Sequence, residues 1–162
     1  MIKQLIEDYG PLVECPDDLD GSCILYALYR CEKYNKYNKV PRFESAYAPG
    51  GIYYRNAAHV RAAYDTWGRS AACSYSNFQI LFVTAQELGY NGPPLALDKD
   101  SIAIPYVVRY LNKRIFARGA KELKHIADAY NSGSFRDGIV PEKYIGKFIR
   151  FYKEAKKACQ PK

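Results

Sequence analysis

The chain has 162 residues, a formal net charge of +7 and 48% hydrophobic residues, enough apolar material for one core and too much for disorder throughout. Sixteen tyrosines lift the aromatic share to 15%, and rings with a polar tip on a basic chain suit an anionic or sugar-like polymer, either nucleic acid or cell wall. No apolar run approaches the roughly 20 residues of a membrane helix, the longest, Ile102 to Val108, being broken by Pro105.

Taken in order, Met1 to Cys15 carries Lys3, Glu7, Asp8 and Glu14 and lacks a secretory apolar stretch. Asp17, Asp18, Asp20 and Ser22 offer N-cap oxygens to a helix whose apolar residues Ile24, Leu25, Leu28 and Cys31 recur at helical spacing. It ends near the Lys-, Tyr- and Asn-rich stretch from Glu32 to Asn38, and Pro41 turns Val40 away from helix. Ala48-Pro49-Gly50-Gly51 reads as a loop, with a small β-hairpin or loop flap expected near residues 48–56. Ala57 to Trp67 reads as a helix closed by Gly68, and Phe78 to Leu88 as an element closed by Gly89. Asn91-Gly92-Pro93-Pro94 breaks the chain before a helix over Ile102 to Ile115, with Asp98 or Asp100 at its start. Ala120 to Tyr130 forms the next helix. Pro141 opens the last, whose buried face is Tyr144, Ile145, Phe148, Ile149 and Tyr152. Short β-branched runs and no internal repeat give a mainly α, single-domain fold.

Five cysteines, at 15, 23, 31, 73 and 159, include no C-x-x-C pair, so no structural zinc site is expected. On one helix Cys23 and Cys31 lie about 12 Å apart, beyond the reach of about 7 Å that a disulfide allows. The cysteines therefore read mostly as small buried apolar residues. His59 and His125 are the only histidines, and neither sits in an H-E-x-x-H motif.

Three segments carry a resemblance: the apolar helix Ile24 to Glu32 ending on a glutamate; Ser74-Tyr75-Ser76-Asn77-Phe78-Gln79-Ile80 followed by Thr84-Ala85 and Leu88-Gly89; and Ala129-Tyr130-Asn131-Ser132-Gly133. Together, over roughly residues 22 to 152, they resemble the lytic transglycosylase and goose-type lysozyme group, which cleaves peptidoglycan. In that group a catalytic Glu ends an early helix, a Gly-Leu-Met-Gln-like segment lines the cleft, and an Ala-Tyr-Asn-x-Gly segment closes it. Ser76, Asn77 and Phe78 depart from the usual Gly, Leu and Met. The resemblance implies a lysozyme-like fold with no metal or organic cofactor.

Two glutamates compete for the acid. Glu44-Ser45 begins a Glu-Ser-x-x-x-Pro wording, but Pro41 stands three residues before it and no long helix delivers it. Glu32 follows such a helix directly and is the preferred general acid/base, with Glu44 as a second cleft carboxylate. Burial against aromatic rings raises a carboxyl pKa toward ~6 and keeps it protonated for donation to the leaving oxygen, and a helix C-terminus adds to the effect. Gln79 is expected to offer its amide to an N-acetyl or hydroxyl group. Tyr130 and Asn131 are expected to hold the acid or the sugar, and Ser74, Tyr75 and Phe78 to line the cleft with rings on pyranose faces.

The expected activity is cleavage of the β-1,4 bond between N-acetylmuramic acid and N-acetylglucosamine, by transglycosylation or hydrolysis. The partner is then the peptidoglycan strand, with no nucleic acid and no membrane insertion, and the protein is read as a monomer. It acts on the bacterial wall, as a phage-encoded enzyme or as a secreted one whose leader is missing from the sequence. The alternatives are a catalytically silent glycan-binding or phage structural module of the same fold, and a nucleic-acid binder. The last is disfavoured because no helix gathers Lys and Arg at groove-reading spacing.

Overall fold

The structure is a computed structural model that describes residues 1–34, 40–137 and 141–158. In chain order its helices are α1 (Ile2–Tyr9), α2 (Gly21–Glu32), α3 (Ile52–Asn56), α4 (Ala58–Trp67), α5 (Phe82–Glu87), α6 (Asp100–Tyr110), α7 (Leu123–Ser132) and α8 (Glu142–Ala158). Three short strands, β1 (Arg42–Phe43), β2 (Cys73–Tyr75) and β3 (Ile80–Leu81), pair antiparallel in the order β1-β2-β3. The fold is mainly helical with a small antiparallel sheet, as composition and periodicity indicate. No helix of the described residues is long and apolar enough to cross a membrane. The stretch from Asn35 to Lys39, the thiol Cys159 and the end of the basic tail lie outside the described residues.

Two compact units divide the chain. One gathers Met1–Glu32 with Val108–Lys162, and the other runs from Lys33 to Val107. In the first, α2 packs on α1 and α8, and α7 on α8. The Asp20 carboxylate accepts the Cys23 amide at 2.9 Å, so of the four candidate caps Asp20 starts α2. Its residues Cys23, Ile24, Leu25, Ala27 and Leu28 are buried. Against them α8 brings Phe148, Phe151 and Tyr152, while Tyr144, Ile145 and Ile149 are half-buried. The expected face is thus shifted by Phe151. Helix α1 repeats the logic on a small scale: Ile2, Leu5, Ile6 and Tyr9 are the less exposed positions, and Lys3, Gln4, Glu7 and Asp8 are exposed. Of the described cysteines, Cys15, Cys31 and Cys73 are free thiols. Cys23 and Cys73 are buried, and Cys15 and Cys31 half-buried.

In the second unit the strand register is Arg42↔Ser74, Phe43↔Cys73, Ser74↔Leu81 and Tyr75↔Ile80. Its large buried residues include Tyr75, Phe78, Phe82, Leu97 and Ile104. Two local expectations are corrected. The β element lies at 42–43, 73–75 and 80–81, and residues 52–56 are helical. A Cβ on Gly51 would stand 2.3 Å from the Ser45 carbonyl, so Gly50-Gly51 folds tightly onto the preceding turn. The Gly51 carbonyl then receives the Arg55 amide to open α3. The element expected from Phe78 to Leu88 is helical only from Phe82. Upstream, the Ser76 hydroxyl accepts the Phe78 amide, and the Ser76 carbonyl accepts the Gln79 amide. These local bonds divert the backbone into a turn.

The helix over 100–115 forms as periodicity predicts, although Pro105 lies within it and its end, Leu111–Ile115, widens into a π-turn. Pro141 precedes α8 and its carbonyl accepts the Ile145 amide at 3.0 Å, so it stands at the helix mouth as expected.

Phe148 is fully buried where α8 meets α2. Phe148→Ala is expected to destabilise the protein by about 3–5 kcal/mol, read from the urea midpoint. A loss below about 1 kcal/mol would show that this contact does not carry the packing of the first unit.

Candidate functional site

Glu32 sits on the last turn of α2, where the apolar run gives way to Arg30, Cys31 and Glu32. The site around it belongs wholly to the first unit. From the first turn of α8 the Tyr144 hydroxyl donates to Glu32 Oε1 at 2.5 Å. Burial, and after it the negative charge of Glu32, push the Tyr144 phenol far above its usual range. Tyr144 is therefore a proton-holding donor at any physiological pH. Tyr130 adds electrostatically to the same shift on Tyr144. The Tyr130 ring meets Tyr110 edge-on at 5.7 Å and 83°, and the Tyr110 hydroxyl donates to the Ala129 carbonyl at 3.4 Å.

The end of α2 is also held by charge. Lys147 Nζ donates to the Cys31 carbonyl at 3.1 Å, placing a cation where the helix leaves unpaired carbonyls. Burial raises the Cys31 thiol to about 11, so it stays protonated and is no nucleophile at neutral pH. Next along the helix, Arg30 lies over the Phe151 ring at 4.2 Å and faces Glu154 at 3.8 Å.

Glu44 has a different setting, in the second unit. Its amide donates to the Ala72 carbonyl at 2.8 Å. Its Oε1 accepts from Arg42 Nε at 2.6 Å and from the Ser74 hydroxyl at 3.0 Å. Arg42 and Ser74 are register partners across β1 and β2, so this carboxylate stitches the sheet together.

Several residues expected to meet a ligand serve the fold instead. Tyr75 is 1% exposed and Phe78 fully buried, so neither ring offers a face to a sugar. Both are core residues because the hairpin turns them inward, and the Tyr75 hydroxyl donates to the Ser70 carbonyl at 2.8 Å. Ser74 is buried against Glu44. Gln79 has a positive φ of 52° and its side-chain Nε2 donates to the Ser76 carbonyl at 2.8 Å, inside the turn. That turn is gripped from the 94–100 segment. The Asn77 amide and side chain donate to the two Asp100 oxygens at 2.9 and 2.8 Å, and the Ser76 amide to Asp98 at 3.3 Å. The Tyr34 hydroxyl also donates to Asp98, at 2.7 Å. Asn77, a departure from the resembled pattern, thus has its own structural task.

Asn131 is exposed on the last turn of α7, and Gly133 ends that helix with a φ of 89° that suits glycine. His59 pairs with Glu87 at 2.7 Å, and His125 stacks on Phe135. Among the described residues no group of three His, Cys, Asp or Glu could hold a metal ion. The structure therefore gathers Glu32 and Tyr130 in one unit, and Glu44, Ser74, Tyr75, Phe78 and Gln79 in the other. Tyr144 is the participant that sequence reasoning read only as core. Its signal was a phenol on a buried helical face, whose hydroxyl needs a partner. Comparison with family models, with curated proteins and with solved structures finds no match in any of the three.

Burial raises the phenols of Tyr34, Tyr75, Tyr90, Tyr144 and Tyr152, that of Tyr75 to about 12. An unfolded chain releases these protons near pH 10, while the folded one holds them. Their contribution to stability is thus complete below about pH 10 and is lost as pH climbs through the folded values. Urea melts along an alkaline series are expected to weaken between about pH 10 and 12, with phenolate absorbance lagging for a subset of tyrosines. A single titration of all tyrosines near the unperturbed value would contradict this.

Proposed function

We propose that this chain cleaves peptidoglycan glycan strands at the β-1,4 bond between N-acetylmuramic acid and N-acetylglucosamine, with Glu32 as general acid/base. One observation carries the reading. A half-buried glutamate ends an early apolar helix and is held by the hydroxyl of Tyr144, and the phenol of Tyr144 feels in turn the tyrosine of the Ala-Tyr-Asn-Ser-Gly segment, Tyr130. Through Tyr144 the first and third segments share one neighbourhood, which supports the resemblance to lytic transglycosylases and goose-type lysozymes. Glu44 is the weaker candidate, because Arg42 and Ser74 already hold its carboxylate within the sheet.

In this reading the protonated Glu32 carboxyl gives its proton to the glycosidic oxygen as the bond to the anomeric carbon breaks. The resulting carboxylate then takes a proton from the attacking oxygen. If that oxygen is the sugar's own 6-hydroxyl, the product is a 1,6-anhydro end; if it is water, the product is a reducing end. Tyr144 is a positioning residue that orients Oε1. The net charge of +7 favours encounter with an anionic wall.

The test is digestion of purified peptidoglycan followed by mass spectrometry of the released fragments. Wild type is expected to release muropeptides, with an end lighter by one water if transglycosylation operates. Glu32→Gln should lose about 10²–10⁴-fold, and Glu44→Gln only a small factor. Tyr144→Phe should keep measurable turnover with a displaced pH profile. Absence of any release by wild type would sink the enzyme reading, and loss confined to Glu44→Gln would move the acid to Glu44.

A further inference from the structure

We propose that a cavity in the first unit, at the end of α7, binds a phosphate-class dianion: the terminal phosphoryl group of free phosphate or of a phosphomonoester. The cavity measures about 200 Å³, and Arg114, Arg118 and Arg136 line it together with Phe135. Among the described residues lining it, none bears a carboxylate. The proposal uses none of the residues assigned to glycan cleavage and stands or falls separately.

The arginines arrive from different pieces of chain. Arg114 belongs to the π-turn after α6 and Arg118 closes the turn that follows it. Arg136 comes from the segment that doubles back where Gly133 ends α7. Its placement is fixed in advance. One Arg136 terminal nitrogen (Nη2) donates to the Arg118 carbonyl at 2.7 Å, and its amide donates to the Ser134 hydroxyl at 3.1 Å. Its guanidinium carbon lies 5.1 Å from the centre of the Phe135 ring, and that ring is stacked on His125 at 5.0 Å. A cation held this way gives up less side-chain entropy when a ligand arrives.

The number and type of cation choose the ligand. Guanidinium groups are planar forks of five donors that match oxyanions. A carboxylate brings one charge and two oxygens, which one or two forks satisfy. A phosphoryl group brings ≈ −1.5 to −2 charge and three strong acceptor oxygens, enough for three. Asp128 is buried on α7 and accepts the Ser132 hydroxyl at 3.0 Å, and neither it nor Asp137 lines the cavity.

The experiment is calorimetric titration of the full chain at fixed ionic strength with three probes: sodium phosphate, glycerol 3-phosphate and sodium acetate. Amide chemical shifts of Gly133 and Arg136 serve as the local readout. Saturable one-to-one binding of phosphate or glycerol 3-phosphate is expected, the tighter of the two naming the source, with acetate at least roughly tenfold weaker. Arg114→Gln and Arg118→Gln should each weaken binding by roughly tenfold, whereas Lys143→Gln, on the exposed side of α8, should not. Arg118→Gln keeps the backbone carbonyl that receives Arg136, so it tests the site even if Arg114→Gln fails to fold. The proposal is overturned by the absence of saturable binding, by acetate binding as tightly, by Arg118→Gln binding like wild type, or by Lys143→Gln losing as much.

Discussion

Helix α2 is too apolar to exist without a partner, and α8 is the partner that fixes what its end can do. Burial of Ile24, Leu25 and Leu28 along α2, and of Phe148, Phe151 and Tyr152 along α8, supplies the attraction. Apolar packing alone tolerates small slides, so the register comes from polar bonds between particular atoms at both ends. At the start of α2 the Asp20 amide donates to the Tyr152 hydroxyl at 3.0 Å, and Lys156 donates to the Asp18 carbonyl at 3.1 Å. At its end Lys147 reaches the Cys31 carbonyl and Tyr144 reaches Glu32. These pairs run in opposite chain directions, which makes the two helices antiparallel. The orientation of the candidate acid is thereby a property of the core: a change of helix register would part Tyr144 from Glu32 without touching either residue.

The second unit shows how a chain can spend polar side chains on its own backbone. Ser76 and Gln79 both take positive φ, 65° and 52°, without being glycine. That left-handed conformation costs roughly 1–2 kcal/mol for an ordinary residue, and it persists where surrounding bonds over-determine it. Here the surrounding bonds come from Asp98 and Asp100, which accept from the Ser76 and Asn77 amides and from the Asn77 side chain. A carboxylate on a backbone amide is a charge-assisted bond, stronger than a neutral one. The same features that made this segment resemble a substrate-lining motif, polar groups beside aromatics, are thus consumed in making a four-residue turn.

What could be read from the residues follows from which interactions are local. Helix α2, its Asp20 cap, the Gly68 and Gly89 stops and the Pro141 entry were legible because each depends on spacing or on a residue's own backbone preference. The hairpin at 73–81 was not, because its turn is decided by Asp98 and Asp100, more than twenty residues downstream. Gly50-Gly51 misled for the opposite reason. The pair does make a turn, but close approach to the Ser45 and Ala46 carbonyls, invisible in one dimension, makes it a helix entry. At the candidate site the positions of Glu32 and Tyr130 were legible from motif order. Tyr144 was legible only as a buried ring, since nothing near residue 144 announces a carboxylate 112 positions earlier. Tyr75 and Phe78 were misread because an aromatic in a cleft and one in a core have the same local sequence.

The first unit is assembled from the two ends of the chain, with Lys33–Val107 between them. Its central helix pair therefore joins residues separated by 112 to 138 positions. Closing so long a loop carries an entropic penalty that rises with its length, and nonlocal pairing of this kind slows folding. The hairpin and short helices of the inserted segment have much nearer partners and meet a smaller penalty. Once they form, the intervening chain is no longer a free coil, and α2 and α8 search for each other from a restricted set of separations. Loop-closure entropy alone therefore favours condensation of the inserted segment before the helix pair bearing Glu32 and Tyr144 closes. During synthesis α2 can pack on α1 at once, but its α8 partner is missing until the residues from Glu142 on have emerged.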